Sequence, residues 1–458
     1  MRIRYSFGLL LLLISVTVAA VTPVHEYKLP NGLLLLVKED NRAPVVVSQV
    51  WYKVGSSYER DGITGISHVL EHMMFRGTHQ YSSEQLKRLI TENGGVFNAM
   101  TTTDFTLYYE FISADHLPLV FQLEADRMHN LSLSPADFAK EIQVVMEERR
   151  LRVDDMPEQT AMERFNAAAY ITNPYRQPIA GWMKDLQTMT DHKVRHWYQT
   201  WYAPNNAVVV VVGDVKPEQV YQLAKKYFGP LKPVQLPETN ATHTITQLGK
   251  RTVEVNIPAK LPLLMMGYNV PVVRTTDVAW QPYALMVLSG VLSAGDSARL
   301  PRYLIRGQQI AADIDVDYDP FSRLDTVFLF SAIPAQGHTV TEIKKALFQQ
   351  IKDLQTTLIT PQELERVKAQ VIAAKVYSTD DMMNQAYELG ALAVVGLPWQ
   401  LADQYVKKIE AITPAQVQQV AREYLIPNRL TIAVLKPLPT PKGATPPDVM
   451  PPTKGQMQ

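Results

Sequence analysis

Three residues have types and spacing suited to chemistry: His68, Glu71 and His72, in the run His68-Val69-Leu70-Glu71-His72. On an α-helix, residues three and four apart share a face. The two imidazoles and the carboxylate then point one way, while Val69, Leu70, Met73 and Met74 can face the protein. Two histidines a turn apart make half of a tetrahedral zinc site. A carboxylate beside them, kept off the metal, can take a proton from water that the ion polarises. A buried helix with two satisfied histidines is the plainer reading. Against it stands the difficulty of satisfying two His and one Glu on a single apolar face without a cation.

Two histidines leave one protein ligand to find. The segment 134–153 offers Glu141, Glu147 and Glu148. Glu147 reads as a solvated charge. Glu141 and Glu148 lie seven apart, two turns along one helix face, with Val144 and Val145 between them expected to face the core. Two carboxylates on a half-buried face need a cation or donors. Glu148 as the metal ligand, with Glu141 behind it orienting a histidine or Glu148 itself, meets that need.

Turn residues and hydrophobic period outline the elements that position these groups. Strands are expected over 25–37, with the turn signal Asn31-Gly32 inside it, and over 44–54. The His-Glu-His helix follows and closes at Gly77. Ser82 or Ser83 caps a helix running to Asn93, and Gly94-Gly95 ends it. Segments 96–103 and 105–113 form a strand pair. Helices follow at 117–130, at 134–153 with Ser134 as cap and Pro135 in the first turn, at 158–171 and at 190–202. A buried strand, Ala207–Gly213, and a helix at 217–227 complete this half.

The 458 residues suit two to four domains at about 100–200 residues each. Hydrophobic content of 46% and charged content of 20% describe an ordinary globular protein. Zero net charge gives no pull towards nucleic acid or an anionic membrane surface. With no cysteine, disulfides, thiolate nucleophiles and thiolate-bound metal are excluded, so any zinc must use His and carboxylate. Arg2 and Arg4, the apolar run 7–18 and the small residues Val18-Ala19-Ala20 read as a secretory signal over 1–20, too short for a convincing membrane span. The mature protein is expected to be exported, with a bacterial periplasm as a fitting compartment.

The prolines Pro230, Pro233 and Pro237 and the polar run 238–246 mark a linker over 231–250. It separates a catalytic domain over 21–230 from a second domain over 251–436. The second half repeats the first: strands at 251–257 and 263–270, helices at 279–293 and 298–306, strands at 310–317 and 325–333, helices within 340–425, and a strand at 429–435. Leu186-Gln187-Thr188-Met189-Thr190 leads to Tyr202-Ala203-Pro204-Asn205 and an apolar strand. Ile409-Glu410-Ala411-Ile412-Thr413 leads likewise to Tyr424-Leu425-Ile426-Pro427-Asn428 and another. The chain is therefore read as two related α+β domains. The second has residues 284–292 where the first has its His-Glu-His helix, so one half carries chemistry. Residues 437–458 hold seven prolines and are expected to form a disordered tail.

The run His68-Val69-Leu70-Glu71-His72 resembles the inverted zinc motif of the pitrilysin family, the inverzincins. Glu148, 76 residues beyond His72, and the Glu141/Glu148 pair resemble that family's third ligand and its paired glutamates. Further similar stretches are Phe75-Arg76-Gly77-Thr78, Gly94-Gly95-Val96-Phe97-Asn98-Ala99-Met100-Thr101, Asn173-Pro174-Tyr175-Arg176, Tyr202-Ala203-Pro204-Asn205-Asn206 and Gly213-Asp214. The likeness covers nearly the whole mature chain and is strongest to bacterial members that resemble the β subunit of mitochondrial processing peptidase. It implies two domains, each an antiparallel-rich sheet covered by helices. It also implies one Zn2+ per chain, held by His68, His72 and Glu148, with Glu71 activating water for attack on a peptide bond. The segment 96–101 would be an edge strand that an extended peptide joins, with Asn98 and Ala99 holding the substrate backbone; a turn or bulge is the plain reading of Asn98.

The chain departs from the family in one place. Active full-length members carry an Arg and, seven residues on, a Tyr that face the zinc across a chamber. Here Arg306 is in register, but Asp313 stands where the Tyr belongs, and Tyr318 lies five residues further along. The family's chamber is also enclosed by four domains, twice what this chain supplies. A dimer is implied, preferably a heterodimer with a related zinc-less subunit supplying Arg and Tyr, because such a site needs its charge-stabilising donor. The competing reading is a non-catalytic assembly subunit that binds peptides or a partner.

Overall fold

The computed structural model describes residues 22–238, 247–439 and 449. The expected export signal, the polar centre of the linker and most of the tail lie outside these residues. Among the described residues are two sheets. The first holds β1 (Val24–Lys28), β2 (Leu34–Glu39), β3 (Val45–Tyr52), β4 (Val96–Thr101), β5 (Thr106–Ser113) and β6 (Ala207–Gly213), in the order β1-β2-β6-β3-β5-β4. The second holds β7 (Arg251–Pro258), β8 (Leu263–Val270), β9 (Ala311–Asp317), β10 (Thr326–Pro334) and β11 (Leu430–Leu438), in the order β7-β11-β8-β10-β9. Without β1, the first order is the second over again. In both, one parallel pair (β2 with β6, β7 with β11) is followed by antiparallel neighbours. The repeat read in the sequence is thus a repeat of topology.

Strand period 2 sorts the side chains onto two faces. In β6, Val209 and Val211 join one core, under helices α1 (Ile66–Met73), α2 (Ser83–Thr91), α3 (Leu117–Asn130) and α4 (Pro135–Arg149). Val208, Val210 and Val212 join another, covered by the helix Met382–Val394 from the second half. There the α-carbon of Gly390 sits against the indole of buried Trp51, where a β-carbon would not fit. The second sheet mirrors this. Its far face packs on α5 (Pro157–Ala169) of the first half, and Phe165 rests on Gly267 of β8. Each sheet is roofed on one side by a helix from the opposite half. A buried polar clamp adds to this: Arg323 donates to Asp104 (3.1 Å) and Ser57 (2.7 Å) and lies 4.2 Å from the Tyr58 ring centroid.

Three expectations change. The helix expected over 298–306 is a wide π-helical turn, Pro301–Gly307, entered through a proline that has no N–H to give. The helix expected over 134–153 ends at Arg149 and widens into a π turn, Arg150–Asp154, closed by the Asp155 amide on the Arg150 carbonyl at 2.8 Å. The tail begins later than 437, because β11 runs to Leu438. Beyond Leu435 it pairs only with β7, so Pro437 can sit at a one-sided position of the ladder. Val449 is also buried, against the α5 cluster.

Candidate metal centre and peptide cleft

Helix α1 begins at Gly65, whose φ of +83° suits glycine. A β-carbon there would lie 2.9 Å from the Gly181 α-carbon, so the loop before α1 and the loop at 181 press together backbone to backbone. No side chain of the N-cap residue caps the helix. The amides of Gly65 and Ser67 instead donate to the Glu59 carboxylate at 2.6 and 2.9 Å. Val69, Leu70 and Met73 are buried in the core, as the period requires, and His68, Glu71 and His72 face a cleft of about 1160 Å³.

Helix α4 crosses this face. Ser134 caps it, with Pro135 in the first turn. His72 Nε2 lies 3.2 Å from Glu148 Oε2, and His68 Nε2 lies 3.8 Å from Glu148 Oε1. The two imidazoles stand at 89° with centroids 4.8 Å apart. Glu141 Oε2 is 3.3 Å from His72 Nδ1, while Glu141 Oε1 receives Arg76. On the other side, Arg152 pairs with Glu148 at 2.6 Å. The neighbouring Arg149 is buried, bridging to Glu163 and to the Gly181 carbonyl. It thereby ties the end of α4 to the loop that abuts the start of α1.

The donor set fits a tetrahedral ion. Ligands about 2.0–2.2 Å from a zinc lie roughly 3.3 Å from one another. One ligand atom from each of His68, His72 and Glu148 falls within 4.8 Å of the others, the one such group of His and carboxylate among the described residues. The electrostatics hold His68 and Glu148 in their ligating, deprotonated forms, whereas His72 favours a proton that a metal has to displace. Burial and the nearby His72 lower the His68 pKa to about 4, so it stays neutral. Burial alone would lower His72, but its bonds to Glu148 and Glu141 outweigh that and raise it. The hydrogen bond from His72, followed by the charges around it, holds the Glu148 carboxyl down to about 2.

Glu71 is not among the convergent ligands. Its Oε2 accepts the Thr101 hydroxyl at 2.5 Å, and burial raises its pKa. Thr101 ends β4, the outer strand of the first sheet, whose side chains alternate between exposed and half-buried. Asn98 and Ala99 sit mid-strand, pair with Tyr109 and Tyr108, and line the cleft. Asn98 is thus a strand residue and not a turn. Arg306 is not brought to this cleft: it lies in the π turn of the second half, donating to the Asp296 carbonyl. Asp313 is in β9, opposite Ile333, and Tyr318 is buried, donating to the Pro271 carbonyl at 2.7 Å. Val144, expected in the core, is 46% exposed on the cleft wall, while Val145 is buried.

The family profile described as Insulinase (Peptidase family M16) matches residues 34–182, and that described as Peptidase M16 inactive domain matches 188–371. Zinc protease PqqE of Helicobacter pylori is 31% identical across 91% of this chain and 93% of its own length. This chain belongs to peptidase family M16. A crystal structure of a protease from Helicobacter pylori superposes with a TM-score of 0.85 at 30% identity, covering 91% of this chain and all of that one. The periplasmic protease PqqL from Escherichia coli shares the fold, with a TM-score of 0.75 at 19% identity; the match covers 90% of this M16 chain and 47% of PqqL. The division between the two M16 profiles does not follow the sheets, since β6 lies beyond residue 188 yet forms the middle of the first sheet.

Four residues of the M16 site had no role in the sequence reading. Arg76 and Arg152 stand four residues after His72 and Glu148, one turn on along the same faces, a spacing that could have been read. Thr101 and Glu59 reach α1 from other segments, and no local pattern signals that.

Proposed function

We propose that this chain is an exported zinc endopeptidase that hydrolyses unfolded or extended peptides, with one Zn2+ held by His68, His72 and Glu148. The observation that carries the reading is the convergence of those three ligand atoms, with the Glu71 carboxylate beside them but committed elsewhere. A bound Zn2+ supplies Lewis acidity, polarising a peptide carbonyl and bringing the pKa of water towards ~7. The chain's own residues do the rest. Glu141 holds His72 through Nδ1. Thr101 occupies Glu71 Oε2 and leaves Oε1 to accept a proton from water and return it to the leaving amine. Its raised pKa brings the carboxyl nearer the working pH of such a shuttle. The outer edge of β4 takes an extended substrate by main-chain hydrogen bonds, with Asn98 and Ala99 beside the reacting carbonyl.

In this reading residues 1–20 are an export signal, 21–230 the catalytic domain, 231–250 the linker, and the second domain runs from 251 to the end of β11 at Leu438. No helix among the described residues is long and apolar enough to cross a membrane. A second, zinc-less subunit of the same fold completes the chamber and brings the Arg/Tyr pair. The turning of Arg306 towards Asp296, and Asp313 in the place of Tyr, support this division of labour. They also favour a second reading, a partner-dependent assembly subunit that binds peptides without cutting them. Purification from the native host with its bound partner, followed by cleavage of a quenched peptide library with and without a zinc chelator, decides between them. Chelator-sensitive cleavage, restored by Zn2+, is expected of the complex. Zinc binding without cleavage would leave the assembly reading, and full activity of a homodimer would remove the heterodimer.

A further inference from the structure

Glu59 stands outside the cleft, yet both its carboxylate oxygens are spent on the helix that carries the chemistry. It follows a 3₁₀ turn, Ser56–Tyr58, and is 6% exposed. Oε2 accepts the Gly65 amide at 2.6 Å and Oε1 the Ser67 amide at 2.9 Å. A helix that starts on a glycine leaves its first amides without a partner, and a short N-cap side chain ordinarily satisfies one of them. Here a carboxylate from a different segment satisfies two. Two amide donors, one on each oxygen, favour the ionised form, and its cost is visible: burial pushes the carboxyl up, with the Ser67 and Gly65 amides opposing, and the nearby Asp185 charge is of like sign. Asp185 performs the same task one step earlier, accepting the amides of Gly62 (3.0 Å) and Thr64 (3.2 Å) and the Thr64 hydroxyl (2.6 Å). A buried carboxylate held without a cation is expensive, and what it fixes lies directly beside His68.

We propose that Glu59 is a positioning residue of the metal centre: by clamping the amides of Gly65 and Ser67 it sets the start of α1, and so the placement of His68 and His72 against Glu148. The inference rests on the metal-binding reading of that face. The geometry makes the clamp specific. A glutamine at 59 keeps the shape but turns one acceptor into an NH2 donor facing a donor N–H. An aspartate keeps the charge but is one methylene short of spanning both amides. Because α1 is only eight residues long, a shift at its first turn has little helix in which to dissipate before His68.

The test uses the full chain and reads Zn2+ affinity by competition with a chromophoric chelator, with circular dichroism confirming that each variant is folded. Glu59→Gln and Glu59→Asp should each weaken Zn2+ binding at least tenfold, the scale seen when groups supporting metal ligands are removed. Wild-type affinity in a folded Glu59→Gln would overturn the proposal, leaving Glu59 a purely structural residue. Wild-type affinity in Glu59→Asp alone would overturn it in favour of a through-space charge effect. A measurement on the unaltered, metal-free protein guards against misfolded variants: the amides of Gly65 and Ser67 should exchange hydrogen as slowly as those in the interior of α1, and exchange at loop rates would overturn the clamp. If the wild type binds no Zn2+ at all, the metalloenzyme reading fails, while the exchange measurement still judges the clamp.

Discussion

Because each sheet is roofed by a helix of the other half, the halves are expected to unfold as a single cooperative unit, and Phe165 is the sharpest place to test it. Its side chain is fully buried, on a helix of the first half, against Gly267 and the strands of the second sheet. Phe165→Ala removes a ring that lies directly on Gly267, which has no side chain to take its place. Such truncations cost about 3–5 kcal/mol. Unfolding entropy of about 2.1 cal/mol/K per residue over roughly 400 ordered residues is about 0.85 kcal/mol/K, so the midpoint should fall by about 4–6 °C. If the halves melted separately, the same loss would fall on about half the entropy, and one transition would drop by about 7–12 °C while the other stayed in place. Differential scanning calorimetry distinguishes the two. A single transition, shifted as a whole by the smaller amount, is expected. Two transitions, or one that splits in the variant, would refute the cooperative account.

Two further outcomes follow from named contacts. Glu141→Gln loses the charged acceptor at His72 Nδ1 and strands Arg76, so Zn2+ affinity should fall about 10- to 100-fold in a competition titration. An unchanged affinity would mean that His72 needs no such support. Glu363 is bound by Arg299 at 2.6 and 2.9 Å; burial alone would raise its pKa, but the Arg299 and Thr360 contacts hold it down to about 2. A carboxyl lowered on folding stabilises above its unfolded pKa of roughly 4.3 and loses that contribution as the pH falls through its folded value. The difference in melting temperature between wild type and Glu363→Gln should therefore be present at pH 6 and close between about pH 4.3 and 2. A gap that persists at pH 2 would show that packing, not the ion pair, is lost.

How far the sequence reaches can be seen in particular elements. The run of five valines in β6, the capping signal at Ser82 and the His-Glu-His face are local patterns, and local patterns survive folding. Glu148 was legible because its spacing from Glu141 matches two helical turns, and the repeat was legible because Thr190 and Thr413 both cap helices that lead into a buried strand. What could not be read is who covers whom. Helices α5 and Met382–Val394 are apolar enough to be buried, but nothing in their periodicity says that each roofs the sheet of the other half. Val144 misled for the same reason: an apolar residue on a helix can face a core or a substrate cleft, and only the tertiary arrangement decides. Pro437 looked like the end of order because a proline cannot donate, yet it sits where β11 has lost one of its neighbours.

Glu71 is proposed to move protons beside a metal it does not bind. The most direct measurement is the hydrolysis rate of a quenched peptide by the zinc-loaded, partner-bearing complex of wild type and of Glu71→Gln, with zinc content determined in the same samples. Equal zinc in both, with a loss of about 10²–10⁴-fold in rate for the variant, the range for a general acid–base group, is expected. Equal zinc with equal rates would contradict it.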